Sequence, residues 1–281
     1  MAEAAKMVNP ALSTRKEYLA ARKSGVKVII LRTAGTNCDL ETKFAFEYVG
    51  AQVELVHIND LVKKKKYLKD YHILAIPGGF TYGDDIASGV ILANELKYKL
   101  REQLEDFVKQ GKLIIGICNG FQILVKAGIL PGVSSGNKEV TLTINDSGKF
   151  EDRWIYLEKI KNECIWTQGI ENIIYLPVAH GEGKFVAQNK DILKKLYENN
   201  QVVFKYVTQT GKNPSYPDNP NGSVDDIAGI CDTTGRVFGL MPHPERHVLA
   251  LHHPQWTRVG LRKEGDGVMI FRNGVEYAKK L

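Results

Sequence analysis

Cysteine is scarce and scattered in this sequence. The four present, Cys38, Cys118, Cys164 and Cys231, are widely spaced, and no two form a C-x-x-C pair. A zinc knuckle or a dithiol redox site is therefore not expected. The spacing fits a reduced, cytoplasmic protein better than a disulfide scaffold. No apolar run reaches about 18 residues, so no membrane span is expected. The N-terminus lacks the apolar core of a signal peptide. Concentrated basic charge is also missing: the net charge is +6, and only Lys63 to Lys66 forms a run, with no aromatic until Tyr67. Nucleic-acid binding would require a denser pattern, and the run reads first as a solvated face, second as a docking patch for an acidic partner. What is present is an apolar fraction of 43%, ordinary for a globular protein with a sizeable core.

Along the chain, strand-like and helix-like segments alternate. Val26 to Leu31 is a β-branched run suited to a strand buried on both faces. Asp39 to Val49 has helical spacing, Gln52 to His57 and Ile73 to Ile76 read as strands, and Asp84 to Lys109 as largely helical with a break near Gly89. Leu113 to Ile117 is a fourth strand. Strand then helix, repeated with short links, predicts an α/β fold with an open, mostly parallel (flavodoxin-like) sheet and helices on both faces. In the second half, Glu139 to Asn145, Arg153 to Ile160, Ile173 to Pro177, Val202 to Val207, Asp226 to Ile230 and Val237 to Leu240 read as strands, some of them antiparallel. Gly211 to Asn221, with three prolines, is a loop. A second loop-like stretch follows His243 as far as Gly265, and a last helix covers Gly267 to Lys279. Residues 1–25, with a short helix over Asn9 to Lys23, read as an extension. No internal repeat or low-complexity linker divides the rest, so 26–281 is expected to be one domain.

The densest chemical signal is Gly-Ile-Cys-Asn-Gly-Phe-Gln, residues 116 to 122. A strand precedes it, a helix from Phe121 to Ala127 follows, and Gly116 and Gly120 flank Cys118 at two residues on either side. This is the strand–turn–helix pattern of a nucleophile elbow, with cysteine at the nucleophile position. The free N–H groups and positive dipole end of the following helix favour the thiolate, the reactive form of the side chain.

A thiolate nucleophile needs a base, and the base needs an orienting group. Met241-Pro-His-Pro-Glu-Arg246 follows the strand Val237 to Leu240, which places His243 and Glu245 at a strand end, where open parallel sheets hold their sites. With Glu245 two residues on along an extended segment, the carboxylate can fix the imidazole's tautomer. A surface histidine between prolines is the competing reading. Metal binding through His243 and His247 is weaker, since Pro244 stands where the metalloprotease pattern requires Glu and no third ligand is evident. After another strand, the glycines of Pro77-Gly-Gly-Phe80 allow close backbone approach. Their N–H groups and that of Asn119 form a candidate oxyanion hole, worth about 3 to 4 kcal/mol per donor. Gln122, one helical turn after Cys118, is a candidate for binding an amide substrate, or else a helix glutamine making a local bond. His180, in Pro-Val-Ala-His-Gly-Glu-Gly, is either near the site or a satisfied structural histidine.

Four motifs in this order, Pro-Gly-Gly-Phe-Thr-Tyr-Gly-Asp, Gly-Ile-Cys-Asn-Gly-Phe-Gln, Pro-Val-Ala-His-Gly-Glu-Gly and Gly-Leu-Met-Pro-His-Pro-Glu-Arg, resemble the class I (triad) glutamine amidotransferases. The Asn-Gly-Phe after Cys118, the Phe-Thr-Tyr-Gly-Asp and Phe271-Arg-Asn273 resemble most the glutaminase subunit of phosphoribosylformylglycinamidine synthase, the PurQ type. The resemblance runs from about Val26 to Tyr277. It implies that Cys118 attacks the glutamine side-chain amide, that His243 is base and then acid, and that Glu245 orients His243. It also implies that the Gly79 and Asn119 N–H groups face the oxyanion, with Gln122 near the bound glutamine. Ammonia would pass to a PurL-type synthetase, with a PurS-type small subunit as further partner. No cofactor is implied in this subunit. ATP and magnesium are expected on the synthetase, and this chain has no G-x-x-x-x-G-K-[ST] phosphate loop. Two alternatives stay open: an amidotransferase of the same class serving another acceptor, and a non-catalytic binding module built on a cysteine elbow. The second usually lacks the downstream His-Pro-Glu.

Overall fold

The computed structural model describes residues 24–132, 139–171 and 173–281. The helix expected over Asn9 to Lys23 lies outside the described residues. The described residues open with β1 (Lys27–Arg32), whose four central residues are buried. Helix α1 (Asp39–Tyr48) carries Asp39 and Glu41 in its first turn, where the helix dipole favours negative charge. β2 (Gln52–His57), the short α2 (Ile58–Val62) and β3 (Ile73–Ile76) follow.

The long helix expected from Asp84 is shorter and divided. Asp84 accepts hydrogen bonds from the Gly89 N–H and the Ser88 hydroxyl, both at 3.1 Å, which holds 84–89 as a closed turn. Helix α3 (Val90–Lys99) starts only after Gly89, and Leu100 separates it from α4 (Arg101–Lys109). β4 (Leu113–Ile117), buried throughout, runs into α5 (Asn119–Lys126). Then come β5 (Val140–Thr143), β6 (Glu151–Lys159), β7 (Ile174–His180) and β8 (Lys184–Ala187). Helix α6 (Lys190–Glu198) is capped by Asn189, whose side chain accepts from the Ile192 N–H at 2.9 Å. β9 (Val202–Val207), β10 (Ile227–Cys231) and β11 (Val237–Leu240) complete the strands. The short α7 (Trp256–Val259) lies within the stretch expected to be loop, and α8 (Val268–Ala278) ends the fold.

Among the described residues nine strands form one sheet in the order β2-β1-β3-β4-β11-β10-β9-β6-β7, and β5 pairs with β8 in a separate ribbon. Pairing is parallel from β2 through β11 and antiparallel from β11 to β7. The chain thus has the expected parallel sheet with antiparallel strands contributed by its second half. The parallel strands β3, β4 and β11 are buried along their whole length, as two-sided helix cover requires. Register aligns Ile76 with Gly116 and Ile117 with Leu240. The carboxyl ends of β3, β4 and β11 therefore finish side by side, and the loops leaving them meet. Among the described residues no helix is long and apolar enough to cross a membrane.

Candidate active site

The elbow at Cys118 is built by close approach. A side-chain carbon at Gly120 would stand 1.8 Å from the Ile76 carbonyl oxygen, and one at Gly116 would stand 2.6 Å from the Gly120 oxygen. Only glycine fits either position, so α5 packs directly against the ends of β3 and β4. The turn forces Cys118 to φ 52°, ψ −107°, a left-handed backbone that a non-glycine residue adopts only under strain. Phe121 and Gln122 donate to the Cys118 carbonyl, at 3.0 and 3.1 Å, and begin the helix. The first N–H groups of α5, beginning at Asn119, stay free of intrahelical partners. The Cys118 side chain is buried, with Sγ 3.8 Å from the Ala179 carbonyl oxygen.

His243 leaves the end of β11 and is buried. Its backbone N–H donates to the Pro177 carbonyl at 2.8 Å, which fixes it against β7. Nδ1 lies 2.6 Å from Oε1 of Glu245, itself buried. Glu245 sits in the 3₁₀ turn Pro244–Arg246 rather than on the extended segment expected, and the tight turn brings it under the ring. Nε2 of His243 and Oε2 of Glu245 are buried without a hydrogen-bond partner. Burial works against a charge on the ring, but the Glu245 carboxylate and the Cys118 sulfur outweigh it and hold the imidazole's pKa well above its ordinary value. A base so tuned accepts a thiol proton readily.

Gly78 shows how closely the parts converge. A side-chain carbon there would lie 2.8 Å from Cε1 of His243, 3.2 Å from Sγ of Cys38 and 3.4 Å from Cβ of Cys118. Gly79, beside it, has φ 140° and bridges to Thr36, so the Pro77–Phe80 loop is held by main-chain contact. The Asn119 side chain accepts from the Thr81 hydroxyl at 2.8 Å and donates to Asp84 and Gln122, clamping this loop onto the elbow. Gln122 is buried one turn below. Its amide bonds the Glu182 carbonyl and the Asn119 side chain, so it supports the site from behind with its side chain already engaged. His180 is buried, with Nδ1 3.2 Å from Oδ1 of Asn145 and Nε2 3.5 Å from Nδ2 of Asn221. Burial, with repulsion from His243, drives its pKa down to about 3, so it is neutral and structural in character.

Two residues that the sequence did not single out also belong here. Cys38, after β1, donates its N–H to the Gly78 carbonyl at 3.2 Å. Arg246 places Nη2 3.1 Å from the Cys38 sulfur. The only hint in sequence is that Arg246 closes the His-Pro-Glu-Arg motif. Among the described residues, the ligand-type atoms of Cys38, His243 and Glu245 lie within 4.8 Å of one another. The Arg246 guanidinium already bonded to that sulfur opposes a metal cation there.

The site thus gathers a thiol at a strained elbow, an imidazole–carboxylate pair and a glycine-rich strand end on one edge of a parallel sheet, the arrangement of a thiol-dependent acyl-transfer class. Comparison narrows the class. Residues 25–278 match the family described as CobB/CobQ-like glutamine amidotransferase domain. The chain is 52% identical to a phosphoribosylformylglycinamidine synthase subunit PurQ of Dehalococcoides mccartyi, over 92% of this chain and 100% of that one. It is 44% identical to the PurQ subunit of Methanococcus maripaludis, over 90% of this chain and 98% of that one. A solved structure of PurLQS from Thermotoga maritima superposes with a TM-score of 0.69 at 32% identity, covering 90% of this chain and 98% of that chain. The chain belongs to the glutamine amidotransferase family and, within it, to the PurQ subunits of phosphoribosylformylglycinamidine synthase.

Proposed function

We propose that this chain is the glutaminase subunit of a phosphoribosylformylglycinamidine synthase. It hydrolyses glutamine to glutamate and delivers ammonia to a PurL-type synthetase, which makes formylglycinamidine ribonucleotide in purine biosynthesis. The observation that carries the reading is the buried His243–Glu245 pair, 2.6 Å apart, beside a cysteine at φ 52°.

Cys118 attacks the carbonyl carbon of the glutamine side-chain amide. His243 takes the thiol proton through Nε2, and Glu245 holds the ring by Nδ1–H and stabilises the imidazolium. The Gly79 and Asn119 N–H groups receive the developing oxyanion. His243 then gives its proton to the leaving nitrogen, ammonia departs, and water attacks the glutamyl thioester to release glutamate and restore the thiol. Gln122 and neutral His180 brace the site through their buried hydrogen bonds to Asn119, Glu182, Asn145 and Asn221. No cofactor acts in this subunit; ATP and magnesium serve the synthetase. A PurS-type small subunit completes the assembly, which works in the cytoplasm. Exposed Phe80 and Phe150, with ring centroids 6.3 Å apart, offer apolar surface beside the site for the partner.

The test is labelling with a glutamine-like diazo-ketone followed by mapping of the modified residue. Modification of Cys118 with loss of glutamine-dependent synthesis supports the reading. Unmodified Cys118 with full loss of activity defeats it.

A further inference from the structure

Cys38 has no part in the chemistry above, yet it lies inside the site. Its sulfur is buried within 4.8 Å of a ring nitrogen of His243 and a carboxylate oxygen of Glu245. It receives the Arg246 guanidinium at 3.1 Å and points its thiol at Oδ1 of Asn37, 3.2 Å away. Arg246 follows Glu245 directly in the same 3₁₀ turn, and among the described residues its ion-pair partner is Glu41, at the 4.0 Å edge of ion-pair distance. Glu245 meanwhile has a buried oxygen, Oε2, with no partner. A buried carboxylate oxygen is a strong attractor for a guanidinium, because charge-assisted bonds are the strongest hydrogen bonds a protein makes. Something must keep the neighbouring cation off it.

We propose that Cys38 is a positioning residue: its sulfur engages Arg246, holds the guanidinium away from Glu245, and so reserves that carboxylate for His243. The inference rests on the glutaminase reading of the site. If Arg246 paired with Glu245, the carboxylate would hold the imidazolium less firmly. The Cys118 thiolate–His243 imidazolium pair would then form over a smaller pH range. The charged or titratable groups facing His243 are Glu245, Cys118, Cys38 and His180, with Arg246 and Glu41 behind Cys38. The backbone of Cys38 is fixed by its N–H to the Gly78 carbonyl and by its own carbonyl, which accepts the Thr42 hydroxyl at 2.6 Å, and the sulfur itself is engaged by Asn37 and Arg246.

The experiment compares the complex of this chain with its synthetase carrying wild-type sequence, Cys38→Ala, Cys38→Ser, Arg246→Met, or Cys38→Ala with Arg246→Met. Glutamine-dependent kcat and KM are read against pH, and ammonia-dependent synthesis serves as the control for assembly. Cys38→Ala is expected to lower kcat about tenfold, the scale of one hydrogen bond lost at a charged group, with KM within about twofold. The acid limb of its pH profile should move up and the basic limb down. Cys38→Ser, which keeps an acceptor, should recover most of the loss. Adding Arg246→Met to Cys38→Ala should also recover activity, because the misplaced cation is gone. A merely structural role would leave both limbs in place and make the double variant worse than either single one. Unchanged pH limbs in Cys38→Ala, or no recovery in the double variant, would overturn the proposal. If Cys38→Ala fails to assemble, Arg246→Met alone decides: near wild-type pH limbs support the proposal and narrowed limbs overturn it. A wild-type complex without glutamine-dependent activity would overturn the reading of the whole site, a result distinct from an active wild type with an indifferent Cys38→Ala.

Discussion

The backbone N–H of Cys118 donates to the carbonyl of Leu240 at 2.8 Å, three residues before His243. The end of β4 is thereby locked to the end of β11, and the sulfur and the imidazole share one rigid reference although 125 positions, 243 less 118, part them. Rigid mounting of both partners is what near-attack geometry requires.

Replacing the nucleophile separates the two halves of the reaction. Cys118→Ala should reduce glutamine-dependent synthesis to background while the synthetase still works with added ammonia. Side-by-side rates with the two nitrogen sources check this, and wild-type glutamine use by the variant would contradict the assignment of Cys118.

Glu245→Gln keeps the shape of the orienting group and removes its charge. We expect kcat to fall on the order of a hundred- to ten-thousandfold, less than for Cys118→Ala. The carboxylate raises the His243 pKa, so without it the imidazolium persists to a lower pH only. The basic limb of the rate profile should therefore move down. A titration of activity between pH 5 and 10 decides it, and an unmoved limb speaks against the pairing.

Gly120→Ala tests the elbow as packing. The added methyl carbon would fall 1.8 Å from the Ile76 oxygen. The chain must shift α5 or β3, at a cost of about 3 kcal/mol or more. Urea unfolding should show a lower midpoint, and an unchanged midpoint would mean the turn is slacker than its geometry.

His180 makes folding pH-dependent. Its pKa is about 3 in the native protein against 6.5 ordinarily, so the unfolded chain binds its proton first as pH falls. The contribution is fully present above pH 6.5 and is lost progressively from there toward 3. His243 runs the other way: its raised pKa stabilises the fold below 6.5 and fades as pH rises through the native value. His180→Gln should flatten the acid slope of a denaturant-midpoint series, and an unaltered slope would contradict the buried neutral ring.

The separate subunit is expected to be a slow glutaminase, since ammonia released without an acceptor is wasted. Glutamate release with and without the synthetase measures this, and equal rates would refute it.

Much of this was legible because it is encoded locally. Buried strands such as Leu113–Ile117 carry no polar side chain along their whole length, and the elbow shows itself through glycines two residues either side of Cys118. Contacts made only by tertiary folding left no such mark. Cys38 looks like any cysteine before a helix until β1 and β11 are set in place, and Arg246 like any surface arginine. Spacing leaves Gln122 between binding an amide substrate and making a local bond, and the structure engages its amide with Asn119 and the Glu182 carbonyl. β8 and α6, both short, leave little pattern in the sequence because one is a four-residue ribbon strand against β5 and the other takes its stability from a cap and a packed face.

The four loops that meet at the sulfur leave the chain near residues 38, 78, 118 and 243. During synthesis the first three emerge well before the last. A nascent chain therefore carries its thiol with no base beside it, and the fourth loop arms it only once synthesis has passed His243.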